Sequence, residues 1–378
     1  MKLMVIIRVK YSNDYSLNRL IVVSEIEFKN VSKSIELGFC SFCGACLSVC
    51  PFNNLTYSPD TPSTPKVGSS THCDKCKLTL CMQTCPQLRI PEQLYELNEK
   101  IKPIAIYVAR SKDKSILERA QDGGAVTSIL VACLRSKIID SAIVVKRNDE
   151  WKPLPILTSS EDEIIEASGT KYVYAPSLMK LKEALTKKEV NSIAVVGVPC
   201  QIRALEKMKE MKLRHVNKVK LRIGLFCTHN FTWECIQKIF NELGLSPSDV
   251  VRMDIKAKLI FTTRNGKSYE YPLDKASQNL RPACKQCPEF ISMYADINVG
   301  SIGSPKGWST VIVMTSQGEN ALSEAINQGL LEVKPIEEKK LKLLMKFIKR
   351  KAEEAKKYRT EYVNKYGKLL TGSYIKKK

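Results

Sequence analysis

The chain has 378 residues, 44% of them apolar, with 17 Gly and 17 Pro, which excludes a disordered or fibrous protein and leaves room for two or three globular domains. Its 60 Lys and Arg against 39 Asp and Glu give a net charge of +21, and residues 337–378 alone carry fifteen basic side chains against five Glu. That tail lacks any zinc-finger, RNP or stacking pattern, which argues against nucleic acid and for a solvated helix face or an acidic redox partner. The longest apolar runs, such as Ser192 to Val198, are too short to span a bilayer. Met1 to Lys10 has no signal-peptide h-region or cleavage site, so a cytoplasmic, reduced protein is expected, in which fourteen cysteines point to metal.

Residues 1–35 read as an N-terminal extension with a strand that packs on a cysteine-rich module. That module begins with Cys40-Ser-Phe-Cys43-Gly-Ala-Cys46-Leu-Ser-Val-Cys50-Pro51, a C-x2-C-x2-C-x3-C-P run. Bacterial-type ferredoxins hold cubane clusters with this spacing, three cysteines wrapping one cluster and the fourth ligating the other. A second set, Cys73, Cys76, Cys81 and Cys85-Pro86, repeats the ending with a longer middle. Zinc or disulfides are the competing uses, but zinc motifs rarely place four cysteines in one eleven-residue run ending in Pro. Residues 36–91 are therefore expected to be a small α+β ferredoxin-like module with two [4Fe-4S] clusters. The Ser-, Thr- and Pro-rich stretch Thr56 to Thr71 reads as a loop between the sets, His72 as a loop residue rather than a ligand, and Glu92 to Lys100 as a short helix leading out.

From 92 to 335 strands and helices alternate, the mark of an α/β core with a mainly parallel sheet. Strands are expected at Ile104–Ala109, Ala142–Lys146, Ile193–Val198, Val219–Phe226, Asp296–Gly300 and Thr310–Thr315. Helices are expected at Ala125–Lys137, Leu178–Lys188, Gln201–Met211 and Trp233–Leu243. Asn265-Gly266 between two β-type runs predicts an inserted hairpin over 258–272. From 336 to 378 the chain reads as a basic helix and tail, with Leu341, Leu344, Met345, Ile348, Ala352 and Ala355 on one face.

Cys200 and Cys227 follow strands, where α/β sheets place their sites, and Cys284-Lys-Gln-Cys287 adds a C-x2-C pair. Together these four suffice for a third cubane cluster, although Cys200 and Cys227 taken alone, without the companion pair, read as buried core cysteines. Cys133 and Cys235 fall inside apolar helices and read as core. A chain that joins one-electron clusters to a two-electron donor needs a splitter, and a flavin is the usual one. Candidate flavin loops are Gln121–Thr127, Ser168–Tyr172 and Asp296–Pro305, each combining glycines with hydroxyls or amides at strand–helix junctions. No G-x-G-x-x-G and no Walker A is present, so a Rossmann site and a P-loop are unsupported.

The pieces Gln121-Asp-Gly-Gly-Ala-Val-Thr127, Ser168-Gly-Thr-Lys-Tyr172, Val196-Gly-Val-Pro-Cys-Gln201, Gly224-Leu-Phe-Cys227, Cys284-x2-Cys287 and Ala295 to Thr310 occur in one order. In this the chain resembles the coenzyme F420 hydrogenase/dehydrogenase beta subunit family over about residues 36–330. That family includes relatives of 7-hydroxymethyl chlorophyll a reductase. The resemblance implies FAD in the core, a [4Fe-4S] cluster on the core cysteines and hydride exchange with F420 at the flavin. It implies that Gly123, Gly124, Thr127, Ser168, Lys171, Gly300 and Gly303 line the FAD, with Lys171 stabilising the reduced flavin. Two N-terminal cysteine sets are more than the simplest hydrogenase member of the family has. They imply a relay to a redox protein partner, ferredoxin or hydrogenase or dehydrogenase subunits, and are compatible with an oligomer. A ferredoxin-driven reductase of another conjugated substrate and a non-catalytic electron-transfer subunit are the alternatives.

Overall fold

The computed structural model describes residues 5–7, 21–23, 30–58, 64–68, 70–99 and 101–366. Most of the N-terminal extension, part of the loop between the two cysteine sets and the tail beyond 366 lie outside them. The core contains β1 (Ala105–Ser111), helix α1 (Ala125–Arg135), β2 (Ser141–Arg147), β3 (Pro153–Thr158), β4 (Ile193–Gly197), α2 (Pro199–Glu210), β5 (Val219–Leu225) and α3 (Trp233–Leu243). After these come β6 (Val250–Ile255), β7 (Lys258–Thr263), β8 (Ser268–Pro272), β9 (Ile297–Gly300), β10 (Ser309–Val313), α4 (Ser316–Asn327), β11 (Leu331–Pro335) and α5 (Glu338–Tyr366).

Eight strands form the central sheet in the order β11-β1-β10-β9-β5-β4-β2-β3. The pairs β2–β4, β4–β5 and β5–β9 are parallel, and the remaining four are antiparallel. Five strands thus share one direction and three oppose it, so the sheet is mixed, with a parallel centre. The centre reads as uninterrupted apolar sequence because helices cover both faces: Ile193, Ala194 and Val195 of β4 have no exposure. The two outermost strands carry Pro153, Pro155 and Pro335, which lack an N–H and are tolerated at sheet edges. That composition is why neither strand is recognisable from sequence.

The hairpin at 258–272 is present, with Thr262 opposite Ser268 and Gly266 at φ +80°. A third strand, β6, joins it, and this small sheet packs Val250, Met253 and Phe261 against Trp233, Ile236 and Phe240 of α3. Among the described residues of 30–99 the elements are short: helices Ser32–Glu36, Ala45–Val49, Ser70–Lys75 and Leu80–Gln83, a strand pair Leu55–Thr56 with Lys66–Val67, and a 3-10 segment Glu92–Glu99. The apolar stripe of α5 closes the structure. Leu344 and Ile348 pack on Phe290 and Ile312, and Ala355 packs on Leu94 and Tyr95. Leu344→Ala should cost about 2–5 kcal/mol through lost transfer energy and an unfilled cavity, read as a lower denaturant midpoint with an unchanged far-UV spectrum.

Candidate iron–sulfur and flavin sites

The backbone at Gly44 is left-handed at φ +87°, and the short helix starting at Ala45 buries the first cysteine run against the core. Cys40, Cys43, Cys46 and Cys85 line one small cavity. Cys85 therefore belongs with the first three cysteines of the other run. Conversely, Cys81 feels the charges of Cys50, Cys76 and Cys73. Asn54 ties Cys50 to that second group: its backbone N–H donates to Cys50 Sγ at 3.3 Å and its side-chain amide to Cys73 Sγ at 3.2 Å. On this grouping each run would give its last cysteine to the other group, the exchange that a C-x3-C-P ending makes in two-cluster ferredoxins.

The third group assembles from distant sequence. Cys200 is the second residue of α2, Cys227 follows β5, and Cys284 and Cys287 flank one turn. The Cys200 thiol is pushed well up by burial and then by the charges of Cys287, Cys43, Cys227 and Cys284. Cys43 thus connects this group to the first N-terminal one. Tyr174 Oη lies 2.9 Å from Cys284 Sγ, and Arg281 stacks over the Tyr174 ring at 4.6 Å while donating to Cys40 O at 2.9 Å. Cys133 and Cys235 are buried apart, in apolar clusters. His72 is exposed beside the Phe52 ring.

The three thiol groups fit iron–sulfur clusters by donor chemistry. Burial pushes Cys40 and Cys81 up to about 11 and Cys43 to about 12, so these sulfurs stay protonated unless cationic iron holds them as thiolates. Among the described residues no three His, Cys, Asp or Glu side chains could hold a single metal ion. A four-iron cluster does not require that convergence, because its four cysteines bind four different irons.

The candidate flavin loops meet one another. The Gln121 side chain accepts from Thr170 N at 3.1 Å, Thr127 Oγ1 and Ser168 Oγ lie 2.8 Å apart, Gly123 N donates to Ser309 Oγ at 3.1 Å, and Asp122 bonds Ser301. Arg252 and Asp254 of β6 brace this loop cluster through the carbonyls of Ala120 and Gln121 and the Gln121 amide. Thr310 Oγ1 is buried without a partner beside Gly303, whose φ is +96°. That orphaned hydroxyl suits a hydrogen-bonding ligand. Two of the glycines have a simpler reason to be glycine: a Cβ on Gly123 would fall 2.3 Å from Ala109 O, and one on Gly300 would overlap the Phe226 ring.

Lys171 is nearly buried, and its ammonium donates to the carbonyls of Ala167 (2.5 Å), Ser168 (3.2 Å) and Gly169 (2.8 Å). It holds the Ser168–Gly169 loop from beneath. Burial, with Arg147 nearby, pulls it down from 10.5 to about 7. Sequence reasoning missed Tyr174, Arg281, Arg203, Glu289 and Lys351, which surround the core thiols. Lys351 of α5 donates to Cys284 O at 2.8 Å. A usable signal existed for some: Arg203 lies one helical turn after Cys200, Arg281 three residues before Cys284 and Glu289 two after Cys287.

If last cysteines are exchanged, Cys85→Ser should perturb the same EPR signal as Cys40→Ser, and Cys50→Ser the same signal as Cys73→Ser. The opposite pairing would refute the exchange. Lys171→Met should strand three carbonyls at about 1–3 kcal/mol for each one left buried and unpaired. Because Lys171 is pulled down, the unfolded chain binds more protons between about 7 and 10.5. The burial penalty is therefore full below about pH 7 and relieved as pH rises to 10.5, so the stability gap favouring wild type over Lys171→Met should widen across that window. Chemical denaturation of both proteins at several pH values measures it.

Residues 106–197 match the family model "Coenzyme F420 hydrogenase/dehydrogenase, beta subunit N-term", and residues 190–339 match the companion model for the C terminus of the same coenzyme F420 hydrogenase/dehydrogenase beta subunit. The chain is 38% identical over 259 residues to the coenzyme F420 hydrogenase subunit beta of Methanothermobacter thermautotrophicus, covering 67% of this chain and 92% of that one. It is 30% identical over 371 residues to the coenzyme F420-dependent sulfite reductase of Methanocaldococcus jannaschii, covering 91% of this chain and 56% of that protein. Among solved structures, a chain of the F420-reducing [NiFe] hydrogenase complex from Methanosarcina barkeri superposes with a TM-score of 0.66 at 37% identity, covering 69% of this chain and 92% of that one. With its sheet, its order of loops and its core cysteines accounted for together, the chain belongs to the coenzyme F420 hydrogenase/dehydrogenase beta subunit family.

Proposed function

We propose that the chain is an F420-linked electron-transfer oxidoreductase that exchanges hydride with F420 at a bound FAD and relays single electrons through three [4Fe-4S] clusters to a redox protein partner. The observation that carries this is an unbroken line of sites. The loops at 121–127, 168–172 and 300–310 touch one another, Gly300 abuts Phe226 beside Cys227, the Cys200 thiol feels the charge of Cys43, and the Cys46 thiol feels that of Cys81. Relatives named for F420, and one that is part of a hydrogenase complex, support the choice of hydride partner and of a protein at the other end.

Bound FAD would supply the conversion between a hydride and two single electrons, and each cluster would carry one of them. In this reading Gly124, Gly303 and the Thr127 and Ser168 hydroxyls hold the FAD, and the orphaned Thr310 hydroxyl finds its partner there. Gly123 and Gly300 let the loops close on their own backbone. Lys171 keeps the Ser168–Gly169 loop in place and sets a positive charge beside the flavin, which favours the anionic reduced form. Cys40, Cys43, Cys46 and Cys85, then Cys50, Cys73, Cys76 and Cys81, then Cys200, Cys227, Cys284 and Cys287 hold the three clusters. Exposed Phe52 and Leu78 border the outermost group and mark the face where a partner would dock. Among the described residues no helix is long and apolar enough to cross a membrane.

The alignment that covers nearly the whole chain but 56% of the sulfite reductase favours a second reading, in which the chain is the electron-input unit of a larger reductase.

Anaerobically purified protein should contain FAD and about twelve irons, three clusters of four. Reduced F420 should bleach the flavin and then the clusters. Cys200→Ala should lose about four irons while its flavin is still bleached and its N-terminal clusters stay oxidised, and Cys133→Ala should behave as wild type. Flavin that reduced F420 leaves oxidised would exclude F420 as the donor. Zinc in place of iron would overturn the relay altogether.

A further inference from the structure

We propose that Arg203 and Glu289 form a buried charge pair that sets the reduction potential of the core cluster, with Arg203 also positioning the loop that carries Cys85; this rests on the cluster reading above. Arg203 lies on α2 one turn after Cys200, on the same helix face. Its side chain is 1% exposed and that of Glu289 is 0% exposed. Its Nε donates to Pro86 O at 3.0 Å, immediately after Cys85, and its Nη1 donates to Glu289 Oε2 while facing Cys287 Sγ at 3.9 Å. One guanidinium thus touches the loops of two different thiol groups. On the next turn of α2, Lys207 Nζ donates to Cys85 O at 2.6 Å and Leu88 O at 2.5 Å, so two cations of one helix grip the Cys85 loop.

Stability does not account for this arrangement. A buried ion pair barely recovers its desolvation cost even when every polar atom is satisfied, and apolar replacements of such pairs are often neutral or stabilising. Here Arg203 Nη2 has no partner, which adds to the cost. What the pair does have is position. Reducing the core cluster adds one negative charge to a site bounded by Cys287 and Cys200, both of which interact with Arg203. A fixed guanidinium in a low-dielectric interior stabilises the reduced state more than the oxidised one and raises the potential, while the Glu289 carboxylate opposes it. The net setting depends on both charges, and Arg203 can be neither removed nor left alone without moving it.

The test is an EPR-monitored redox titration of full-length, anaerobically purified protein. Glu289→Gln keeps the shape and removes the opposing charge, so the core cluster potential should move up with iron content unchanged. Arg203→Met should move it down, and Arg203→Lys, which keeps the charge but is too short to span Pro86 O and Glu289, should fall between Arg203→Met and wild type. Opposite signs in Glu289→Gln and Arg203→Met are the signature that a purely structural pair would not produce. If Arg203→Met loses its cluster, Glu289→Gln alone decides. An unmoved core potential in Glu289→Gln at full iron content overturns the proposal. A wild-type protein without a Cys200-dependent signal would instead overturn the cluster reading on which it rests.

Discussion

The close approach of one loop to another at Gly44 fixes where the first cysteine run sits on the α/β sheet, and the site's layout depends on it. A Cβ there would lie 2.4 Å from Pro176 O and 2.7 Å from Met179 N, and the backbone is left-handed, so only glycine fits. With that contact made, Cys43 O accepts from Leu178 N at 3.1 Å, and the first cysteine run lies directly against the loop that leads into the helix packed on β4. The adjacency of Cys43 to Cys200 is a consequence. Without it, the N-terminal cysteines would be a separate small module on a tether. With it, they share an interior with the α/β sheet.

The sites differ in how far their sequence betrays them. The N-terminal sets are legible because spacing of two or three residues is local and the chemistry leaves few other uses for it. The core thiols are legible only through topology: Cys200 and Cys227 gain meaning as residues at the ends of parallel strands, and the distant Cys284–Cys287 pair completes them. Tyr174 is silent because nothing in a lone tyrosine marks it as a neighbour of a thiol more than a hundred residues away. The flavin loops fall between these cases. Their glycines are visible in sequence, but at Gly123 and Gly300 neighbouring protein atoms already require glycine, so a glycine-rich turn is a poor pointer to a ligand. Helix α4 is hard to read because its buried apolar residues, Ala321, Leu322 and Ala325, are few, and β3 and β11 because proline disguises edge strands.

Part of the basic excess of the sequence is turned inward, toward the cysteines, rather than out to solvent. Arg203, Lys207, Arg281 and Lys351 all donate to backbone carbonyls of residues that are, or directly adjoin, the cysteines. Burying a cation is costly unless it is hydrogen-bonded and near compensating negative charge. Carbonyls supply the first condition here, and thiolate-ligated clusters would supply the second. Net charge counted from composition therefore conflates two populations, a solvated one on the outer face of α5 and one turned toward the thiol groups, buried at Arg203 and half-buried at Lys207, Arg281 and Lys351.

Helix α5 runs past the flavin loops and the core thiols in turn. Lys340 O lies near Gly303, Lys351 reaches Cys284 O, and Ala355 and Arg359 pack on Tyr95. At 1.5 Å of rise per residue, the first two of these stations are ~16 Å apart and the first and third ~22 Å. A single helix with an apolar stripe is a stiff object, so it acts as a strut that holds the candidate flavin loops, the core thiols and Tyr95 at set distances. Electron hops depend steeply on separation. If these stations carry the proposed relay, a strut of this kind makes its pace a property of helix geometry.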